Sequence, residues 1–234
     1  MCYTFIWKIL FVGEVIMQIK GAIFDMDGTL VDSLGFWKDI WECIGEHYLG
    51  IPDYQGDSKL TQRFRTTTVP QCAEILHREC GYGKSTQETE RFLTDSFAKL
   101  YRTKAALKPG CLEFLETLAA RGVKMCVASA SNPELVNISI ERCGVGKYFS
   151  AIISCNSVGK GKDHPDVFFA AMKSLGTPIE NTWVVEDSAV ALATAQRAGF
   201  QTIGIFDCHT PDQASVIAAS TEYIAEGETL MRLL

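Results

Sequence analysis

The sequence predicts an α/β fold in which a doubly wound parallel sheet carries an inserted all-helical segment. Three observations predict it. From about Leu107 onward, short apolar strands alternate with helices. Near the start, the apolar run Gly21-Ala22-Ile23-Phe24 ends in Asp25-Met26-Asp27-Gly28. Between these parts, residues 34–105 read as helix with no strand. Alternation of this kind builds a parallel sheet with helices on both faces, which binds ligands at the carboxyl ends of its strands.

The first strand reads from about Ile19 to Met26. Side chains two apart share a face of a strand, so Asp25 and Asp27 converge on one point. Gly28 then lets the chain loop over that point without a Cβ. Two close carboxylates repel unless one is protonated or a cation lies between them, and Mg²⁺, with oxygen ligands, suits that role. Asp-Gly is also ordinary turn chemistry, so these residues read alone serve either purpose.

Phe36, Trp37, Ile40, Trp41, Ile44 and Tyr48 recur at helical spacing up to Gly50-Ile51-Pro52. Leu60 to Arg65 reads as a short helical turn. Val69-Pro70 opens a helix that runs to Gly81, and Ser85 with Glu88 caps another that carries Phe92, Phe97 and Leu100. Pro109-Gly110 opens a helix ending near Arg121-Gly122. Strands then read at Val123–Ser129, Ala151–Ser154, Thr182–Glu186, Gln201–Phe206 and Ser220–Ala225. The helices between them are Pro133–Cys143, Pro165–Leu175 and Ala189–Ala198, with a last turn at Thr229–Leu234.

Composition narrows the function. The chain has 234 residues, 47% of them hydrophobic, enough for a substantial core. A formal charge of −6 offers no basic field for nucleic acid. Nine scattered cysteines without a Cys-x-x-Cys pair suggest no zinc site and fit a reducing cytoplasm. The apolar stretch at residues 1–16 is interrupted by Lys8 and Glu14 and falls short of a membrane span. It reads as an extension upstream of a start at Met17, and no membrane partner is expected. No sequence feature speaks to oligomeric state.

Three further strand ends carry candidate chemistry. Ser129 ends a strand before a helix start, where a hydroxyl and backbone N–H groups can hold a phosphate oxygen. Equally, Ser131 or Asn132 caps that helix and Ser129 is loop. Lys160 and Lys162 both offer an ammonium to a phosphate. Glu186 and Asp187 end a strand beside the first two aspartates, a concentration of negative charge that fits a bound cation.

The string Asp25 to Ser33 resembles the first motif of the haloacid dehalogenase superfamily, Asp-x-Asp-Gly-Thr-Leu-Val-Asp-Ser. The Ser-Ala-Ser-Asn string at 129–132 and Glu186-Asp187-Ser188 are most similar to the β-phosphoglucomutase-like subgroup. The resemblance covers residues 17–234 and implies a Rossmann-like core from 17–33 and 106–234, with a helical cap at 34–105. The family pattern Gly-Lys-Pro-x-Pro-Asp-x-Phe selects Lys162 over Lys160, although Asp163 stands where Pro is usual. Ala191 stands where Gly is usual.

What the resemblance implies is a Mg²⁺-dependent phosphatase of a small phosphorylated metabolite, a phosphoric monoester hydrolase. Asp25 is then the nucleophile and Asp27 the general acid and base, with Thr29 orienting the Asp27 loop. Ser129, Lys162 and the Met26 and Gly28 amides hold the phosphate. Asp25, Asp27 (by its backbone carbonyl), Asp187 and Glu186 surround the metal. A hexose-phosphate mutase is the alternative, less favoured because Thr29 stands where those enzymes often carry Val. Arg63, Arg65 and Lys99 are candidate contacts to a second phosphate. A non-catalytic phosphate-binding protein is the third reading.

Overall fold

The computed structural model describes residues 19–64 and 67–234. Residues 1–16 and Arg65 therefore lie outside the described residues. The six strands are β1 (Gly21–Phe24), β2 (Lys124–Ser129), β3 (Ile152–Ser154), β4 (Thr182–Glu186), β5 (Gln201–Ile205) and β6 (Glu222–Ile224). They form one sheet in the order β3-β2-β1-β4-β5-β6, every pair parallel. The α/β class expected from the alternation is what folds.

The register explains the two-sided core. Ala22 and Phe24 of β1 share a cluster with Met125 and Val127 of β2 and Val185 of β4. Ile23 lies in a second cluster with Cys126, Ala128 and Val184. Alternate residues thus feed opposite faces, so a central strand must be apolar throughout, and all four β1 residues are buried. Helices α5 (Cys111–Ala120) and α6 (Pro133–Cys143) supply Phe114, Leu115, Leu135 and Val136 to the first face. Across the sheet, α8 (Asp166–Leu175) and α9 (Ala189–Arg197) supply Val167, Phe168, Ala171 and Ala195. Burying each large side chain contributes about 1.5–3 kcal/mol.

Between β1 and α5 the described residues form helices and no named strand. These are α1 (Phe36–Ile44), α2 (Ser58–Phe64), α3 (Val69–Cys80) and α4 (Thr86–Lys104). Helix α1 widens into a π turn over Gly45–Leu49 before Gly50, at φ 65°, ends it. The Thr68–Gln71 capping box opens α3, and the Ser85 hydroxyl accepts the Glu88 N–H to open α4. Trp41 stacks with Phe64 at 5.8 Å and donates its indole N–H to Thr61 Oγ1 at 2.6 Å. Helix α4 packs against α6, which seats the helical segment on the sheet-bearing part.

Two short helices carry too few apolar repeats to stand out in the sequence: α7 (Cys155–Val158) and α10 (Gln213–Ala218). Among the described residues no helix is long and apolar enough to cross a membrane. The cysteines from Cys43 to Cys208 are all free thiols.

Candidate active site

The sheet order sets the place. From β1 the chain builds β2 and β3 on one side, then returns to lay β4 on the other. Loops leaving β1 and β4 diverge there, opening a crevice at their carboxyl ends. Asp25 follows β1, and Glu186 and Asp187 stand at the end of β4. Carboxylate oxygens of all three lie within 4.8 Å of one another, and all three residues are buried.

Lys162 reaches this cluster from the loop before α8. Its Nζ contacts both Asp25 Oδ1 and Glu186 Oε1. Burial opposes its charge, but the attraction of Asp25 and Glu186 outweighs that and raises its pKa. Lys160 instead pairs with Asp166 at 3.0 Å on the exposed surface. His164 is exposed beside Asp163.

Three carboxylates against one ammonium leave the cluster short of positive charge. Burial raises the Asp25 pKa well above its ordinary value; Lys162 opposes the shift, and Glu186 and Asp187 add to it. Burial, with the Glu186 charge beside it, pushes Asp187 up to about 7. Glu186 Oε2 accepts the N–H groups of Asp187 and Ser188 at 3.1 and 3.0 Å. Asp187 receives hydroxyls from Thr29 at 3.0 Å and Thr210 at 3.1 Å, and no ammonium contacts it among the described residues. An all-oxygen set with excess negative charge fits a hard dication such as Mg²⁺.

Asp27 sits apart from that trio. Its Oδ1 accepts the hydroxyls of Ser33 and Tyr101, each at 2.6 Å, and its Oδ2 accepts that of Ser131 at 2.8 Å. Asp25 and Asp27 therefore leave the strand end toward different partners. Ser129 is buried at the end of β2, and its Oγ accepts the Ser131 N–H at 3.0 Å. Asn132, not Ser131, caps α6, accepting the Glu134 N–H at 2.9 Å.

One sequence expectation changes. The Gly28 N–H is donated to Val31 O at 2.9 Å, closing the turn after β1, so it is not offered to a phosphate oxygen. The Thr29 hydroxyl reaches Asp187, which ties the loop carrying Asp27 to the end of β4. Gly28 itself is required: it sits at φ +83°, and a Cβ there would lie 2.9 Å from the Asp187 carboxylate. Arg63 pairs with Glu79 at 2.9 Å on the surface. Tyr101, Ser33, Ser131 and Thr210 are polar contacts that sequence reading missed.

The family model for haloacid dehalogenase-like hydrolases matches residues 19–199. The chain belongs to that family. It is 27% identical over 196 residues to a pyrophosphatase, PpaX, of Oceanobacillus iheyensis, covering 81% of this chain and 84% of that one. It is 22% identical over 216 residues to a phosphorylated carbohydrates phosphatase of Thermotoga maritima, covering 92% and 98%. Among solved structures, CbbY from Rhodobacter sphaeroides in complex with phosphate superposes with a TM-score of 0.74 at 22% identity, covering 88% and 93%. That likeness shows the shared fold, a parallel-sheet core with a helical cap. The resemblance read from Asp25 to Ser33 thus holds for this hydrolase along most of its length.

Proposed function

We propose that this hydrolase is a Mg²⁺-dependent phosphatase of a small phosphorylated metabolite, working through an aspartyl-phosphate on Asp25. The observation that carries the reading is the double contact of Lys162 with Asp25 and Glu186, beside Asp187, at the crevice between β1 and β4. A carboxylate nucleophile must be ionised, and the buried ammonium favours that form against burial. Phosphatases among the relatives support the same class.

Asp25, Asp187 and the backbone carbonyl of Asp27 would hold Mg²⁺, with Glu186 beside them. When bound, the ion supplies positive charge to the transferring phosphoryl group. An Asp25 oxygen forms the bond to phosphorus as the bond to the leaving oxygen breaks. Lys162 and Ser129 orient the phosphate oxygens. Asp27 gives its proton to the leaving alcohol. Asp27 then takes a proton from the water that attacks phosphorus, which frees Asp25 and releases phosphate. The helical segment over the crevice excludes bulk water and reads the leaving group. The free cysteines favour the cytoplasm as its compartment.

The test is phosphate release from a panel of phosphorylated metabolites, with Mg²⁺ or with chelator, in the native chain and in Asp25→Asn. Mg²⁺-dependent release that the variant lacks is the expected result. Interconversion of hexose 1-phosphate and 6-phosphate without release would replace it with the mutase reading.

A further inference from the structure

We infer that Tyr101, on the helical segment, is a positioning residue that fixes which oxygen of Asp27 carries the catalytic proton. The inference rests on the phosphatase reading of this site and deepens it. Tyr101 is 4% exposed at the end of α4, wedged edge-on against Phe36 at 5.4 Å and beside Phe97 at 6.4 Å. This packing sets its hydroxyl beside Ser33 and Ser131, where it donates to Asp27 Oδ1 at 2.6 Å. Burial and the Asp27 charge raise the phenol pKa well above 10, so it remains a donor at any working pH.

The two oxygens of Asp27 are not equivalent. Oδ1 accepts from both Tyr101 and Ser33, and among the described residues Oδ2 accepts from Ser131 alone. A proton placed on Oδ1 would weaken two bonds donated to a charged oxygen and push Ser33 back on its longer contact with Val31 O at 3.4 Å. On Oδ2 the proton meets the Ser131 hydroxyl, which can turn from donor to acceptor. The proton therefore sits on Oδ2. From there it passes to the leaving oxygen as the phosphorus–oxygen bond breaks, and Oδ2 takes it back from the attacking water. Ser33 belongs to the loop after β1, and Tyr101 to the helical segment inserted behind it. The acid is thus aligned from both parts of the molecule.

The experiment compares kcat/KM for phenyl phosphate and p-nitrophenyl phosphate in the presence of Mg²⁺. Phenolate needs the proton at departure far more than p-nitrophenolate does. A misplaced acid therefore lowers the phenyl to p-nitrophenyl ratio, whereas a general loosening of the site lowers both rates together. Displacement of a reacting group by about 1 Å can cost roughly a hundredfold. The ratio is expected to fall about tenfold in Tyr101→Phe and at least as far in Asp27→Asn. A fall in Asp27→Asn with the native ratio in Tyr101→Phe would overturn the positioning role and leave the phosphatase reading standing. A native ratio in Asp27→Asn would overturn the acid role of Asp27 and this inference with it. Should Tyr101→Phe fail to fold, Ser33→Ala removes the companion donor on the same oxygen. It must lower the same ratio, and a native ratio there overturns the assignment of Oδ2.

Discussion

The Thr29 hydroxyl donates to Asp187 Oδ1 at 3.0 Å, tying the loop after β1 to the end of β4. The two residues stand 158 positions apart, and both are buried. Thr210 holds the second oxygen of the same carboxylate at 3.1 Å. Asp187 is thereby oriented by two hydroxyls, with no ammonium in contact among the described residues, as suits a cation ligand.

Thr29→Val keeps the shape and removes the donor. Loss of a hydrogen bond to a buried charged group costs about 1.5–3 kcal/mol. Mg²⁺ affinity is expected to fall about tenfold, the low end of what partners of metal ligands contribute. Isothermal titration of Mg²⁺ into the metal-free protein reads this directly.

Lys162→Met should be costly twice. It leaves Asp25 and Glu186 buried without compensation, a loss of about 3–5 kcal/mol in urea unfolding. Phosphate release should fall by at least about a hundredfold. Lys160→Met, at an exposed pair, should leave both measurements close to native.

The Asp187 shift makes a statement about pH. Its pKa stands at about 7 in the folded chain against an ordinary 3.8, so the folded state binds the extra proton between those values. Through this group, metal-free stability falls as pH rises across that window and levels off above it. Mg²⁺ binds the ionised site and removes the penalty. Thermal unfolding should therefore show a larger rise in Tm on adding Mg²⁺ at pH 7.5 than at pH 5. An equal rise at both would contradict the assignment.

Gly28→Ala forces a side chain to adopt φ +83° and sets a Cβ 2.9 Å from the Asp187 carboxylate. The backbone strain alone costs about 1–3 kcal/mol. The variant should melt earlier and bind Mg²⁺ more weakly, as scanning calorimetry with and without the ion would show.

Much of this was open to a reader of the sequence, because it is local. Apolar runs with period two or none became strands, and Pro133, Gly144 and Gly176 bounded helices where their backbone preferences put them. Asp25, Lys162, Glu186 and Asp187 stood at strand or loop ends in strings that resemble known motifs, and the fold brings all four together. Tyr101 was concealed for a physical reason. It follows Leu93, Phe97 and Leu100 on the buried stripe of α4, where an aromatic residue reads as core, and its ring is indeed core. Only its hydroxyl has chemistry, and periodicity does not register one polar atom.

The sequence by itself determined which segments are strands and, α7 and α10 apart, which are helices, that the strands run parallel, and which acidic and basic residues lie at their carboxyl ends. These follow from periodicity, capping and turn chemistry, which act over a few residues. The tertiary structure decided the partners: that Lys162 spans Asp25 and Glu186, that Thr29 serves Asp187, and that Asp27 turns to Ser33, Ser131 and Tyr101. Hydrogen bonds between residues far apart in the chain depend on where the sheet order and the packing of α4 on α6 bring their ends. Such bonds leave no periodic trace in the residues that make them.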